Sequence, residues 1–245
     1  MSSLLRVSGL RKAYADKVVL RDLDLDVEPH DVVCLIGASG SGKSTLLRCL
    51  NLLETTDDGT IEFAGEDITD PRVDARAVRS RMGLVFQAYN LFPHMTVLDN
   101  LTLAPRKVHG LSRAEAESRA RDLLDRFGLA DKAAEHPDRL SGGQQQRAAL
   151  ARALVTDPSL VLLDEVTSAL DPELVGEVLD IVRDLAQGGM TMVLATHEMA
   201  FAREVASQVC FLHDGAILER GTPDEVLGAP TNDRTRQYLR RVLPS

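Results

Sequence analysis

The chain has little cysteine, no long apolar run and no excess of positive charge. Its three cysteines, Cys34, Cys49 and Cys210, lie far apart, and no Cys-x-x-Cys pair occurs. That spacing suggests neither a zinc site nor a disulfide framework, and reads as buried thiols in a reducing compartment. No stretch approaches the ~18 apolar residues of a membrane span. Met1–Arg6 lacks the charged-then-apolar order of a secretory signal, so a cytoplasmic location is expected unless another protein carries the chain to a membrane. Lys plus Arg number 28 against 37 Asp plus Glu, a formal charge of −9. That balance argues against nucleic-acid binding and against attachment to anionic lipid by the chain's own charge. There is no internal repeat and no low-complexity linker. The 245 residues are read as one α/β domain with a sub-domain set into it, with no appended regulatory domain.

What the chain does have is centred on Gly37–Ser44, Gly-Ala-Ser-Gly-Ser-Gly-Lys-Ser. This matches the phosphate loop Gly-x-x-x-x-Gly-Lys-[Ser/Thr]. Asp31–Ile36 before it is a short apolar strand, and Ser44–Glu54 after it reads as a helix. Gly37, Gly40 and Gly42 allow backbone conformations closed to other residues, so that backbone N–H groups converge on an anion at the helix N-terminus. Lys43 would neutralise the outer phosphates and the Ser44 hydroxyl would hold Mg2+.

Ahead of the loop, Leu4–Ala13, Lys17–Leu20 and Asp22–Val27 read as strands. The last alternates strictly, with Asp22, Asp24 and Asp26 opposite Leu23, Leu25 and Val27, as in a half-buried antiparallel strand. Tyr14 lies here and by itself is a packing residue. After the first helix come a strand at Thr60–Ala64, a turn at Gly65–Asp67, a short helix at Asp74–Arg81 and an apolar strand, Met82–Phe86. Gln87 at its end reads, taken alone, as a surface residue. No strand interrupts Ala88–His136. Thr96–His109 and Ser112–Phe127 read as helices, the second opened by the capping box Ser112-Arg113-Ala114-Glu115, and a shorter helical piece reaches Glu135. The core is placed at 1–87 and 156–245, and the helical sub-domain at 88–155.

Leu140-Ser141-Gly142-Gly143-Gln144 precedes a helix, Gln144–Val155. It is a glycine-rich helix start suited to an anion, yet it has no lysine and no strand before it. It is either half of a site or a serine N-cap with a flexible glycine pair. Leu160–Leu163 is an unbroken apolar run ending in Asp164 and Glu165. A buried parallel strand reads this way, and its C-terminal end is the ligand edge of an α/β sheet. Asp164 is placed to hold Mg2+ and Glu165 to orient and polarise an attacking water. The other reading is that the two acids cap the next turn. Asp171-Pro172 opens a helix. Met190–Ala195 is another buried strand, ending at Thr196-His197. His197 alone among six histidines follows a buried strand; it is either structural or functional. Glu198–Ser207 reads as a helix. Val209–Glu219 is a hairpin turning at Asp214-Gly215, Thr222–Glu225 a second capping box, and Asp233–Val242 the last helix.

Together these pieces resemble the ATP-binding cassette family, specifically its nucleotide-binding subunits, from about Leu4 to about Leu243. The phosphate loop, the 140–144 signature and the Asp164-Glu165 strand carry the resemblance. It implies a P-loop NTPase core, α/β with a mixed, largely parallel sheet flanked by helices. An N-terminal antiparallel β part and an inserted α-helical sub-domain complete it. It implies that Tyr14 stacks on the adenine ring of ATP. Gly37, Ala38, Ser39, Gly40, Ser41, Gly42, Lys43, Ser44 and Thr45 would wrap the phosphates. Gln87 would ligate Mg2+ and sense a membrane partner. Ser141, Gly142 and Gly143, with Gln144 closing the signature, would bind the γ-phosphate of a nucleotide held by a second copy. Ser168–Asp171 would cross the dimer interface, and His197 would contact the γ-phosphate. The lysine-free half-site is thereby explained: two ATPase subunits pack head to tail. The chain departs from the family at Val166, where proline usually stands.

Leu47–Glu54, Asn90–Val97 and His197–Ala202 resemble polar amino-acid importers. That resemblance implies a transmembrane permease, an external solute-binding protein, and a position on the cytoplasmic face of the plasma membrane. Leu91, Phe92 and Met95 would border the groove for a permease helix, or else belong to the sub-domain core. A second reading keeps the ATPase and gives it a regulatory, cell-wall or division role without transport. A DNA-repair-type ATPase would need a long coiled-coil insertion, for which 88–136 is too short.

Overall fold

A computed structural model describes residues 3–242, so Met1 and Leu243 lie outside the described residues. The chain forms two compact units, residues 1–79 with 186–245, and residues 80–185.

The first unit holds two sheets. β1 (Leu5–Tyr14), β2 (Lys17–Val27), β4 (Asp58–Phe63) and β5 (Glu66–Asp67) pair in the antiparallel order β2-β1-β4-β5. The two strands expected at Lys17–Leu20 and Asp22–Val27 are one. Their buried positions run Leu20, then Leu23, Leu25 and Val27, because Asp22 takes a positive φ of 44° and shifts the register by one residue. Glu66 and Asp67, expected in a turn, pair with β4. The other sheet has β3 (Val32–Ile36), flanked in parallel by β8 (Met192–Ala195) and β9 (Gln208–His213), with β10 (Ala216–Gly221) antiparallel to β9. β3 and β8 are buried along their length, as their continuous apolar sequence requires. The β9–β10 hairpin turns at Asp214 and Gly215, both at positive φ, as a type I′ turn requires.

Helix α1 (Lys43–Leu50) buries Leu46, Leu47 and Leu50 along one face. It stops short of the expected Glu54. Leu52 adopts φ 54°, and the amides of Leu52 and Leu53 bond back to the carbonyls of Cys49 and Arg48. That is a left-handed terminator, here made without glycine. α2 (Ala75–Ser80) begins in this unit, and α7 (Met199–Val205) and α8 (Asp233–Val242) complete its helices. At Thr222–Glu225 the expected reciprocal bonds form, and the chain then makes a wide helical turn over 224–228.

In the second unit β6 (Met82–Val85) and β7 (Leu160–Asp164) are parallel neighbours. Helices α3 (Val97–Lys107), α4 (Arg113–Arg126) and α5 (Gly142–Leu154) pack against one another through Val97, Leu101, Ala120, Leu124, Ala149 and Leu150. α4 starts at the expected capping box. α5 starts two residues earlier than expected, because Ser141 is its N-cap and Gln144 the reciprocal member of a second capping box. α6 (Pro172–Gln187) follows Asp171.

Candidate functional site

The first unit carries the phosphate loop. β3 delivers the chain to Gly37, which is buried with φ 147°. A Cβ there would stand 2.1 Å from the Leu212 carbonyl oxygen, so the loop can press against β9 only with glycine. Gly40 differs: its φ is 77°, and a Cβ would meet nothing within 4 Å. Lys43, the first residue of α1, is buried, and its Nζ donates to the carbonyls of Gly37 at 2.9 Å and Ala38 at 3.3 Å. The ammonium thus sits on the inner side of the loop. Ser41 Oγ is buried there without a hydrogen-bond partner among the described residues. Open backbone at Gly40, a curled-in cation and a buried hydroxyl awaiting a partner suit a polyphosphate. A cleft of about 580 Å3 opens beside Gly40, lined also by Lys17, Val19, Arg21 and Asp214. No local pattern marks this cleft, because its residues come from a strand turn and a hairpin tip.

β8 runs parallel to β3 with Ala195 opposite Leu35, so His197 and Gly37 leave the same edge of adjacent strands. His197 is exposed. The other expected histidines, 30, 94, 109 and 136, are also exposed, and His213 is half-buried beside Asp214. His30 additionally bonds the Gly189 carbonyl through Nδ1 at 2.6 Å. Tyr14 is exposed at its ring, and its hydroxyl is pushed above the ordinary phenol range by burial and by the charge of Glu54, with Thr45 also in reach. Lys12, absent from the sequence reading, lies 5.1 Å from the Tyr14 ring centre and pairs with Glu54 and Asp57 at 3.8 and 3.9 Å. Its one signal was a lysine at an inward position of β1.

The second unit carries the acids and the signature. In the β6–β7 ladder Val85 faces Leu163. Gln87 and Glu165 each lie two residues beyond that pair, at the same strand edge. Asp164 is buried, Glu165 half-buried and Gln87 exposed. Glu165 takes φ 48°, unusual for a side chain larger than glycine, and its carbonyl accepts from the amide and hydroxyl of Ser168 at 3.1 and 2.8 Å. The two acids therefore stand where β7 ends and a constrained turn begins. Val166 is buried beside them. At the signature, Ser141 Oγ accepts from Gln144 N at 3.3 Å and Gln144 Oε1 from Ser141 N at 3.0 Å. Of the two readings of this stretch, these bonds show the serine N-cap.

The loop after Gln87 is held by residues the sequence reading missed. Arg152 donates to the carbonyls of Asn90 and Tyr89 at 2.6 and 3.3 Å. Buried Asn100 accepts from Phe92 N at 2.7 Å and donates to the carbonyls of Phe92, Met95 and Thr96. Phe92 is left 42% exposed, and Leu91 and Met95 are half-buried, so Phe92 is surface and not core. The signal for Asn100 was a polar residue on the apolar face of an amphipathic helix. Among the described residues no cluster of three or more His, Cys, Asp or Glu could hold a metal. Among the described residues no helix is long and apolar enough to cross a membrane.

The ABC transporter family profile matches residues 20–168. The glutamate transport ATP-binding protein GluA of Corynebacterium glutamicum is 48% identical over 240 residues, covering 98% of this chain and 99% of its own. The glutamine transport ATP-binding protein GlnQ of Geobacillus stearothermophilus is 49% identical, covering 96% and 97%. The arginine transport ATP-binding protein ArtM of Bacillus subtilis is 47% identical, covering 98% and 100%. Among solved structures, the dimeric post-hydrolysis state of the ATP-binding cassette MJ0796 bound to ADP and Pi superposes with a TM-score of 0.81 at 30% identity, covering 89% of this chain and 98% of that one. Phosphate loop, signature and paired acids thus stand in a chain that belongs to the ABC transporter family, as an ATP-binding domain of it.

Proposed function

We propose that the chain is the ATP-hydrolysing subunit of an importer that drives uptake of a polar amino acid through a separate transmembrane permease, fed by an external solute-binding protein. The observation that carries this reading is near end-to-end similarity to amino-acid transport ATP-binding proteins. The chain would then lie on the cytoplasmic face of the membrane, held by the permease against the exposed Phe92 loop. A regulatory role without transport has no comparable support.

In this reading the whole chain acts as one ATPase domain, and two copies face each other head to tail. Gly37–Thr45 wrap the phosphates and Lys43 leaves its loop carbonyls for them. Tyr14 stacks on adenine. The partner copy presents Ser141, Gly142 and Gly143 to the γ-phosphate, with Asp171 in the loop between copies. Ser44, Gln87 and Asp164 would hold Mg2+, which supplies charge neutralisation at the phosphates. Glu165 accepts the proton of the attacking water and His197 steadies the γ-phosphate. Catalysis is positioning and electrostatic stabilisation of phosphoryl transfer to water.

The test is uptake of labelled glutamate, glutamine, arginine and cystine by cells lacking the gene. Uptake of at least one should fall and be restored by the wild-type chain but not by Glu165→Gln. Unchanged uptake of all four, with ATPase activity intact in the purified chain, would sink the import reading.

A further inference from the structure

Tyr89 stands two residues beyond Gln87, and none of the roles above uses its side chain. Its hydroxyl donates to the carbonyl oxygen of Ala169 at 3.2 Å, across 80 residues of sequence. The phenol oxygen of Tyr89 also lies 2.9 Å from the position a Cβ on Gly142 would occupy. One phenol therefore touches three segments of the second unit: the strand end that carries Gln87, the first helical residue after Ser141, and the loop 168–171. The phenol is itself anchored, because Arg152 binds its backbone carbonyl. Two further bonds of the 165–171 turn are local, from Ser168 to Glu165 and from Leu170 to Thr167. Local bonds fix the shape of a turn but not its place relative to a distant helix start. A rigid ring with one rotatable hydroxyl does fix it.

From this geometry we infer that Tyr89 is a positioning residue that holds the Ser168–Asp171 loop at a set distance from Ser141 and Gly142, so that signature and loop are presented together to a second copy of the chain. The inference rests on the head-to-tail dimer of the proposed function. It also gives a second reason for glycine at 142: a methyl group there would push the hydroxyl off the Ala169 carbonyl. Because Tyr89 stands only two residues after Gln87, displacement of the 87–89 segment moves the loop that faces the other copy. ATP affinity of the single chain resides in Tyr14 and Gly37–Thr45 and is not set by Tyr89.

The experiment uses the full chain carrying Glu165→Gln, with Mg-ATP, and measures its monomer–dimer equilibrium by sedimentation. Adding Tyr89→Phe keeps the ring and removes the hydroxyl. The dimer dissociation constant should rise about tenfold, the scale of one neutral hydrogen bond lost on each copy. ATP binding to the monomer, measured by calorimetry at dilution, should stay the same. The second arm is a double-mutant cycle. Gly142→Ala places its methyl 2.9 Å from the hydroxyl, but 3.6 Å from the nearest other atom, Leu170 Cδ2. It should therefore weaken the dimer less when Tyr89→Phe is already present. Parental dimer affinity in Tyr89→Phe, or strictly additive losses in the cycle, would overturn the proposal. A Glu165→Gln parent that stays monomeric with Mg-ATP would overturn the dimer reading and this proposal with it. A parent that dimerises regardless of Tyr89 overturns the proposal alone.

Discussion

The hydroxyl of Tyr238, in the last helix, donates to the carbonyl oxygen of Gly37 at 3.4 Å, and Lys43 Nζ donates to the same oxygen at 2.9 Å. The end of the chain thereby touches the loop built at residue 37. The Tyr238 ring lies 5.2 Å from that of Phe211, which keeps the contact in place. If Lys43 turns to phosphate as proposed, Tyr238 remains as a donor to that carbonyl. Tyr238→Phe keeps the packing and removes the donor, so the ATP dissociation constant should rise about 2- to 10-fold with little change in melting temperature. Calorimetric titration with ATP is the check; unchanged affinity would mean the contact is incidental.

Two glycines of the same loop should respond differently to alanine. At Gly37 the methyl meets the Leu212 carbonyl at 2.1 Å, and the φ of 147° is poor for any side chain. Gly37→Ala should lower stability by about 3 kcal/mol or more. At Gly40 the space is open, and only the φ of 77° opposes a side chain. Gly40→Ala should lose about 1–2 kcal/mol, while its methyl projects where phosphate approaches and weakens ATP binding more than stability. Urea unfolding and ATP titration of both variants separate the effects. Equal stability losses would show that the β9 contact at Gly37 yields.

Lys12 lies under the Tyr14 ring and between two carboxylates. Lys12→Met keeps the apolar stem and removes the cation. Glu54 and Asp57 are partly exposed, so water relieves part of their repulsion, and the loss should be about 1–2 kcal/mol. If Lys12 also holds the ring for adenine, affinity for ATP and ADP should fall by one common factor, because both carry the same base. A drop for ATP alone would place the effect at the phosphates instead.

The parts legible in the sequence were those whose chemistry is written in consecutive residues. Gly37–Ser44 and Leu160–Glu165 announce themselves because loop and strand each form from one segment. The capping box at Ser112 and the hairpin at Asp214 are equally local. What could not be read are bonds from side chains to the main chain: Tyr89 to Ala169, Tyr238 to Gly37, Asn100 to the 92–96 backbone. In each the partner is a backbone group, and a backbone group carries no residue identity. The end of α1 was misjudged for a related reason. Leu52 takes a left-handed conformation that glycine usually signals, so no residue type marked the stop.

The three buried thiols make the protein sensitive to alkali. Burial pushes the thiols of Cys49 and Cys210 up to about 12, from an ordinary value of 9.0, and raises Cys34 as well. Between those limits the unfolded chain releases thiol protons that the folded chain retains. Their contribution is therefore full below about pH 9 and declines as pH rises toward the folded values. Urea midpoints should fall between pH 8 and pH 10, and Cys210→Ala should flatten that fall even if it lowers the midpoint at both. A slope unchanged by the substitution would assign the alkaline loss to other groups. Native protein should also resist a thiol reagent that reacts with all three after unfolding.

Asn100 holds the backbone that presents Phe92. Its amide makes four contacts to the 92–96 segment from a buried position in α3, one to an N–H and three to carbonyls. Asn100→Ala leaves those groups without their side-chain partner and should destabilise the chain by about 2–3 kcal/mol. The larger effect is local. A loop freed from Asn100 keeps its anchors at Tyr89 and Asn90, to Arg152 and Ala169, but loses those at 92–96, so chymotrypsin should cut at Phe92 much faster than in the wild type, while the rest of the chain stays resistant. ATP hydrolysis by the isolated subunit should survive, because no phosphate-binding residue lies in the segment, and amino-acid uptake in cells should fail. That combination would locate the defect at the permease-facing surface. If cleavage at Phe92 were no faster than in the wild type, the loop would owe its shape to Arg152 and to its own turns.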